Sequence, residues 1–349
     1  MDYRGVGRHA SFKGAGLGTL FALVLFTECA LAKDGGGGRF CSATATYMFQ
    51  ACKEEVGDDF YTALANCTNI SDREERRDCL REARVERREA NGLCREQRRA
   101  RAELCDAVGE DRYEPDFDPD DFEDDFTNLQ HPNLYFPLMI GNVWEYEAAG
   151  ESNTVEVLGK TKLIDGVTCI VVHDRVEKAD GAEDTDDWHA QRADGTVFYC
   201  GESVRDLEVF PGDNPQDPEL VAIDGSFKAG RDGDLPGISF LGAPMDGDSY
   251  RQEQSLGNAE DWATVLSTSY GFGNDPELDE HVPQALADML CSNDCIVTGE
   301  LTPLEPDLFD RKYYAPGIGL FLEVDTETGE INQLVDCNFD ARCIGLPTP

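Results

Sequence analysis

The residues best equipped for chemistry are carboxylates. Glu183, Asp184, Asp186 and Asp187 crowd in front of Trp188, and Glu202 follows one expected hairpin later. Two carboxylates beside an aromatic ring are the raw material of a glycoside hydrolase, one as acid and one as base or nucleophile. A second group, Asp116, Asp118, Asp120 and Asp121, offers the clustered oxygens that hard cations prefer. Calcium is therefore the one cofactor to expect, on that group and on Asp184, Asp186 and Asp187. Neither group has the spacing of a dedicated calcium loop, so the sites would be weak and no firmly bound cofactor is implied. With 54 acidic residues between positions 106 and 349, such clusters also arise by chance.

Nucleophilic catalysis finds little material. There is no G-x-S-x-G elbow, and beyond residue 32 the histidines are His131, His173, His189 and His281. They read as surface or packing residues, with His173 at a strand end. Of 13 cysteines, 12 follow residue 32. The tightest spacing, Cys291-x3-Cys295, has no partner pair that would make a zinc site, so disulfides are expected. Cys41 and Cys52 stand 11 apart, as do Cys94 and Cys105. Two antiparallel helices then nest Cys41–Cys105 around Cys52–Cys94. Cys67–Cys79 is left to span a turn between a second and a third helix. Cys169 and Cys200 could bridge strands, and Cys291–Cys295 and Cys337–Cys343 would close small loops.

The elements carrying these residues fall into four segments. Residues 1–32 have a basic start, an apolar run over 15–26 and Ala30-Leu31-Ala32, which together predict a signal peptide cut near Ala32. Residues 33–108 form a Cys-rich helical module. Its 71–107 stretch is rich in Arg, Glu, Ala and Leu and opens with a Ser71-x-x-Glu74 capping box. One face gathers Cys79, Ala83, Ala90, Leu93, Cys94, Leu104, Cys105 and Val108. The remaining surface, 11 Arg among 10 Asp and Glu, reads as solvated and laced with i,i+4 pairs such as Asp72–Arg76 and Arg99–Glu103. Residues 109–131 read as an acidic, extended spacer whose Tyr113, Phe117, Phe122 and Phe126 could dock on a neighbour.

Residues 132–349 alternate β-branched runs with turns. Asp165-Gly166 and Asp194-Gly195 are hairpin signals, and residues 320–324 and 331–335 flank a third turn. Short helices are expected over 258–266 and 283–290. The fold class is α+β: a disulfide-stapled helical hairpin arm, then an antiparallel β-meander forming a curved sheet or an incomplete barrel. The chain's net charge is −40, and residues 106–349 alone hold −41. Such a surface repels nucleic acid and anionic lipid. No stretch reaches the roughly 18 apolar residues of a membrane span.

One set of residues carries a resemblance. Pro137-Leu138 with Gly141, Trp144 and Tyr146-Glu147 spells P-L-x-x-G-x-x-W-x-Y-E; Asp184-Thr185-x-Asp187-Trp188 precedes Ala190-Gln191. Lys312-Tyr313-Tyr314-Ala315-Pro316-Gly317-x-Gly319 stands near the end. From about 130 to 336 the chain resembles a family of uncharacterised exported bacterial proteins, some with a similar Cys-rich arm. That resemblance implies export and no particular activity. More distantly, the G-x-x-W-x-Y opening and the meander resemble periplasmic β-sheet proteins of the lipoprotein-carrier type, which would imply an apolar ligand.

The expectation is a secreted or periplasmic, non-catalytic binding or surface-associated protein of unknown ligand, calcium-stabilised if its acid clusters take the ion. Its alternatives are a carboxylate-based extracellular glycan hydrolase and a periplasmic carrier of an apolar ligand.

Overall fold

Asp72 opens the longest helix of the chain: its side chain accepts from the Glu74 and Glu75 N–H groups at 2.8 and 2.9 Å. The computed structural model describes residues 38–349, so the expected signal peptide over 1–32 and its cleavage near Ala32 lie outside the described residues. Helix α1 (Phe40–Thr68) turns back into α2 (Arg73–Val108), and Gly109, at φ 90°, ends α2. The cap is Asp72 rather than Ser71, because a carboxylate one residue later reaches two orphan N–H groups at once. The arm has two helices where three were expected, and Cys67–Cys79 spans the turn between them. Cys41–Cys105 and Cys52–Cys94 close the hairpin as their equal spacing requires. Each staple contributes about 2–4 kcal/mol to a module with few apolar side chains to bury.

The second part is one antiparallel sheet of 14 strands: β1 (Val143–Ala148), β2 (Glu151–Ile164), β3 (Val167–Lys178), β4 (Gly181–Gln191), β5 (Val197–Glu208), β6 (Glu219–Ala222), β7 (Phe227–Lys228), β8 (Gly237–Phe240), β9 (Ser249–Arg251), β10 (Trp262–Tyr270), β11 (Cys295–Leu301), β12 (Asp310–Ala315), β13 (Gly319–Asp325) and β14 (Ile331–Cys337). Their spatial order is β6-β5-β4-β3-β2-β1-β14-β13-β12-β11-β10-β9, with β7 and β8 also on β5. Nearly every step is a hairpin, so neighbours in sequence are neighbours in space. Asp165 and Gly166 turn β2 into β3 at φ 47° and 90°, the geometry of a type I′ turn.

The sheet is open yet nearly closes on itself. β8 pairs with β5, and an isolated bridge from Leu235 to Gln254 ties its approach to the β9 side. The expected helix over 258–266 is instead the lead into β10, because Trp262, Ala263, Thr264 and Val265 pair with β9 and β11. The expected helix near 283 forms as α3 (Gln284–Leu290), packed on the core. His173 lies within β3 rather than at its end. Cys169–Cys200, Cys291–Cys295 and Cys337–Cys343 pair as expected. No described helix is long and apolar enough to cross a membrane.

Residues 109–131 do not stand off as a self-repelling spacer. Phe117 and Phe122 pack on Phe198, ring centroids 5.8 and 5.2 Å away, and the Tyr113 hydroxyl donates to Pro236 O at 2.9 Å. Aromatic burial and the charge of Arg192 offset the repulsion. The arm docks too, so Arg39–Pro349 form a single unit. Its surface pairs are i,i+3, such as Asp78–Arg81 at 2.9 Å, and exposed pairs of this kind contribute little. The decisive contacts come from two α2 residues outside the expected apolar face. Gln97 donates to Leu304 O at 2.9 Å, and the buried Arg101 grips Glu260 through two bonds of 2.7 and 2.6 Å. Removing one partner of such a pair leaves an uncompensated buried charge. Glu260→Gln is expected to weaken the arm–sheet seam by about 3–5 kcal/mol. Hydrogen exchange should quicken at residues 97–105 and 255–262, and unchanged protection there would refute the role.

Candidate functional site

Side chains alternate across a strand, and that alternation decides which carboxylates meet. On β4, Asp184 and Asp186 share the outer face with Trp188 and Ala190, which pack against the 109–131 segment. Glu183, Thr185, Asp187 and His189 point to the inner face. The expected trio Asp184, Asp186 and Asp187 is therefore split. Asp184 is engaged by Arg175 at 2.6 Å, His173 at 3.3 Å and Arg205. Despite its burial, these partners hold it below the usual carboxylate range. Trp188 lies under the Lys162 ammonium, 3.3 Å from the ring centroid, on the opposite face from Asp187.

The other expected group also fails to converge. Asp116 and Asp121 pair with Arg192 at 3.2 and 3.4 Å, Asp118 caps the short helical turn Pro119–Asp121, and Asp120 is exposed. Among the described residues no group of three or more carboxylate, histidine or cysteine side chains is arranged to hold a metal ion. Acid density alone does not aim oxygens at one point.

What the fold does assemble is an inward-facing row. Register sets Asp187 opposite Glu202 on β5, and Thr185 opposite Asp174 on β3. Tyr199 and Glu202, three residues apart, would lie on opposite faces of a regular strand. A β-bulge reverses that: His189 faces Tyr199 and Trp188 faces Gly201, leaving Cys200 as the extra residue. Cys200 is tied to Cys169 on β3. Gly201 has φ 126°, and a Cβ there would meet Phe227 O at 2.3 Å, so only glycine admits β7. The Tyr199 hydroxyl then donates to Asp187. From the far side of the curl come Glu253 and Asp261, whose charges act on Glu202.

This row is short of cations. Among the described residues, no Lys or Arg forms an ion pair with Asp174, Asp187, Glu202, Glu253 or Asp261. The inner-face Lys312 is already engaged by Glu300 at 2.8 Å and Glu323 at 3.4 Å. Burial, then the charge of Asp174, pushes Asp187 up to about 7. Burial and Asp187 push Glu202 up to about 8, and burial and Glu183 push Asp174 up to about 6. Glu253 and Asp261 are raised by burial first. Thr185 Oγ1, in the middle of the row and 4% exposed, has no hydrogen-bond partner. Asn153 donates to Asp174 at 3.0 Å, while its own Oδ1 is unpartnered.

His189 is a packing residue. Burial lowers it to about 3, so the ring is neutral; it stacks on Tyr199 at 5.0 Å and meets Ser239 Oγ at 2.9 Å. The motif residues serve packing as well. Trp144 Nε1 donates to Ile318 O at 2.7 Å, the Tyr146 hydroxyl donates to Leu320 O at 3.0 Å, and Gly317 N–H reaches Leu134 O at 2.7 Å. They mark the fold. Asp187 and Glu202 were visible in the sequence; Asp174, Glu253, Asp261 and Thr185 were not, having no local signal beyond being polar.

Raised carboxyl values link stability to pH with a definite sign. The folded chain keeps protons that the unfolded chain releases above about pH 4, so stability falls as pH rises toward the folded values. His189 opposes this only below its unfolded value near 6.5. Between about pH 6.5 and 8.5, Asp187 and Glu202 together should cost on the order of 3 kcal/mol. The melting temperature should drop over that interval, and Asp187→Asn with Glu202→Gln should flatten the slope. A rising melting temperature there would contradict the assignment. The chain matches no protein-family model, no curated protein and no solved structure.

Proposed function

We propose that this chain is an exported, non-catalytic binding protein that holds an organic cation on the acidic inner face of its curved sheet. The observation carrying this reading is the row Asp174–Thr185–Asp187–Glu202, in which Thr185 is buried, the three acids are half-buried, and none has a cationic partner among the described residues. A ligand with ammonium groups would supply both what is missing: positive charge for the carboxylates and N–H donors for Thr185 Oγ1 and Asn153 Oδ1. Unpaired buried polar groups are costly, so pairing them favours the complex. Six disulfides fit the oxidising compartment in which such a protein would work.

The other readings have less support. A bare calcium ion wants 6–8 converging oxygens, and among the described residues no three carboxylate, histidine or cysteine side chains are arranged to hold a metal ion. A glycosidase pair needs one carboxylate kept ionised beside a protonated one, whereas Asp187 and Glu202 are both pushed upward and Trp188 is on the wrong face. For an apolar carrier, the apolar half of the interior is filled by Phe240, Tyr314, Leu322 and Leu334.

Calorimetric titration of the full chain with spermidine, near pH 8 and about 0.15 M salt to screen surface charge, tests the proposal. One spermidine per chain is expected, weakened about tenfold or more by Asp187→Asn with Glu202→Gln. That double variant should melt higher than the parent without ligand. Undiminished binding to the double variant would reduce the effect to surface charge, and an equal response to calcium chloride would return the site to metal.

A further inference from the structure

A second site lies at the arm–sheet seam, remote in character from the acidic row. A cavity of about 380 Å³ opens between the first turns of α1, the C-terminal half of α2, residues 111–114 and the β9 edge. Its size falls within the range of small-molecule sites, which occur preferentially where two structural units meet. Phe40, Tyr47 and Leu256 give it apolar walls, and the Arg112 guanidinium sits 3.8 Å over the Phe40 ring at the rim.

Its polar groups are incompletely matched. Arg101 spends Nε and Nη2 on Glu260, while its Nη1, on a side chain 5% exposed, has no partner. Among the described residues Arg251 forms no ion pair; its guanidinium donates to Cys41 Sγ at 3.2 Å and lies 5.6 Å from the Tyr113 ring centroid, and burial lowers its affinity for its proton. Gln254 Oε1, also lining the cavity, is buried and accepts nothing. Asp111 and Glu114, both exposed, also line the cavity, but among the described residues neither forms an ion pair with Arg101 or Arg251. The buried groups left over in the lining are Arg101 Nη1 and Gln254 Oε1, and the half-buried Arg251 guanidinium shares that lining.

We propose that the seam cavity binds a small carboxylate that carries a neighbouring O–H or N–H donor and an apolar group. The carboxylate would take the free donors of Arg251 and Arg101, in the charge-assisted geometry that guanidinium favours. The neighbouring donor would reach Gln254 Oε1, and the apolar group would lie against Phe40 and Tyr47. Because the cavity is walled by both arm and sheet, such a ligand would also hold the seam closed, stabilising by mass action.

The probe is 3-phenyllactate, with its neutral amide as the control, titrated into the full chain at about 0.15 M salt. Phenyllactate should bind once per chain and the amide about tenfold or more weakly, the loss expected for charge-assisted hydrogen bonds. Arg251→Gln should abolish the preference for the acid over the amide. Tyr47→Ala, at a side chain 74% exposed and so free of folding cost, should weaken acid and amide alike. Hydrogen exchange at residues 97–105 should slow with phenyllactate in the parent chain. Equal affinity for acid and amide, an undiminished preference in Arg251→Gln with its melting temperature retained, or no saturable binding at millimolar probe would each overturn the proposal. Spermidine binding on the sheet's inner face is independent of all three results.

Discussion

The closure of the inner face depends on one close approach between backbones. Gly237 of β8 lies so near the chain after β9 that a Cβ would sit 1.8 Å from Gln252 O. With that contact and the Leu235–Gln254 bridge, strands from opposite ends of a long meander come to face each other. Without it, Glu253 and Asp261 would belong to a distant edge rather than lie within reach of the charge of Glu202. An antiparallel sheet must twist, and twist over this many strands brings the ends round; a glycine at the meeting point lets them touch.

Charge is then apportioned unevenly. Several cations of residues 106–349 are committed to particular acids: Arg192 to the 109–131 segment, Arg175 and Arg205 to Asp184, and Lys312 to Glu300 and Glu323. These pairs leave the inner row uncompensated. Since burial disfavours ionised carboxyls, the row holds its protons to higher pH than free carboxyls do. At the seam Arg101 takes up both oxygens of Glu260, and among the described residues Arg251 is left without an ion pair.

Much of the fold was legible from local patterns. The Asp165-Gly166 turn, the Asp194-Gly195 turn and the nested cysteines each declare themselves within a short stretch, because turn chemistry and helix rise are local constraints. The misreadings have one cause. Asn258, Ala259, Glu260 and Asp261 read as helical until β9 and β11 claim the residues that follow. The acidic segment read as a spacer because the ring of Phe198 and the charge of Arg192, which hold it down, are far along the chain. Arg101 read as solvated because Glu260 is 159 residues away.

The α+β class, the three cysteine pairs of the arm and the hairpin order follow from periodicity, turn residues and spacing; for the later cysteines, proximity suggested pairs that the structure then made. The sequence also held Asp187 and Glu202 up as candidates. Only the tertiary structure decided which face they occupy and whom they meet. The bulge at Cys200 shifts strand parity by one residue, and such a shift exchanges every inward side chain for an outward one. Asp174, Thr185, Glu253 and Asp261 join them through register and closure, which are properties of chain segments brought together from afar and are written in no single stretch of residues.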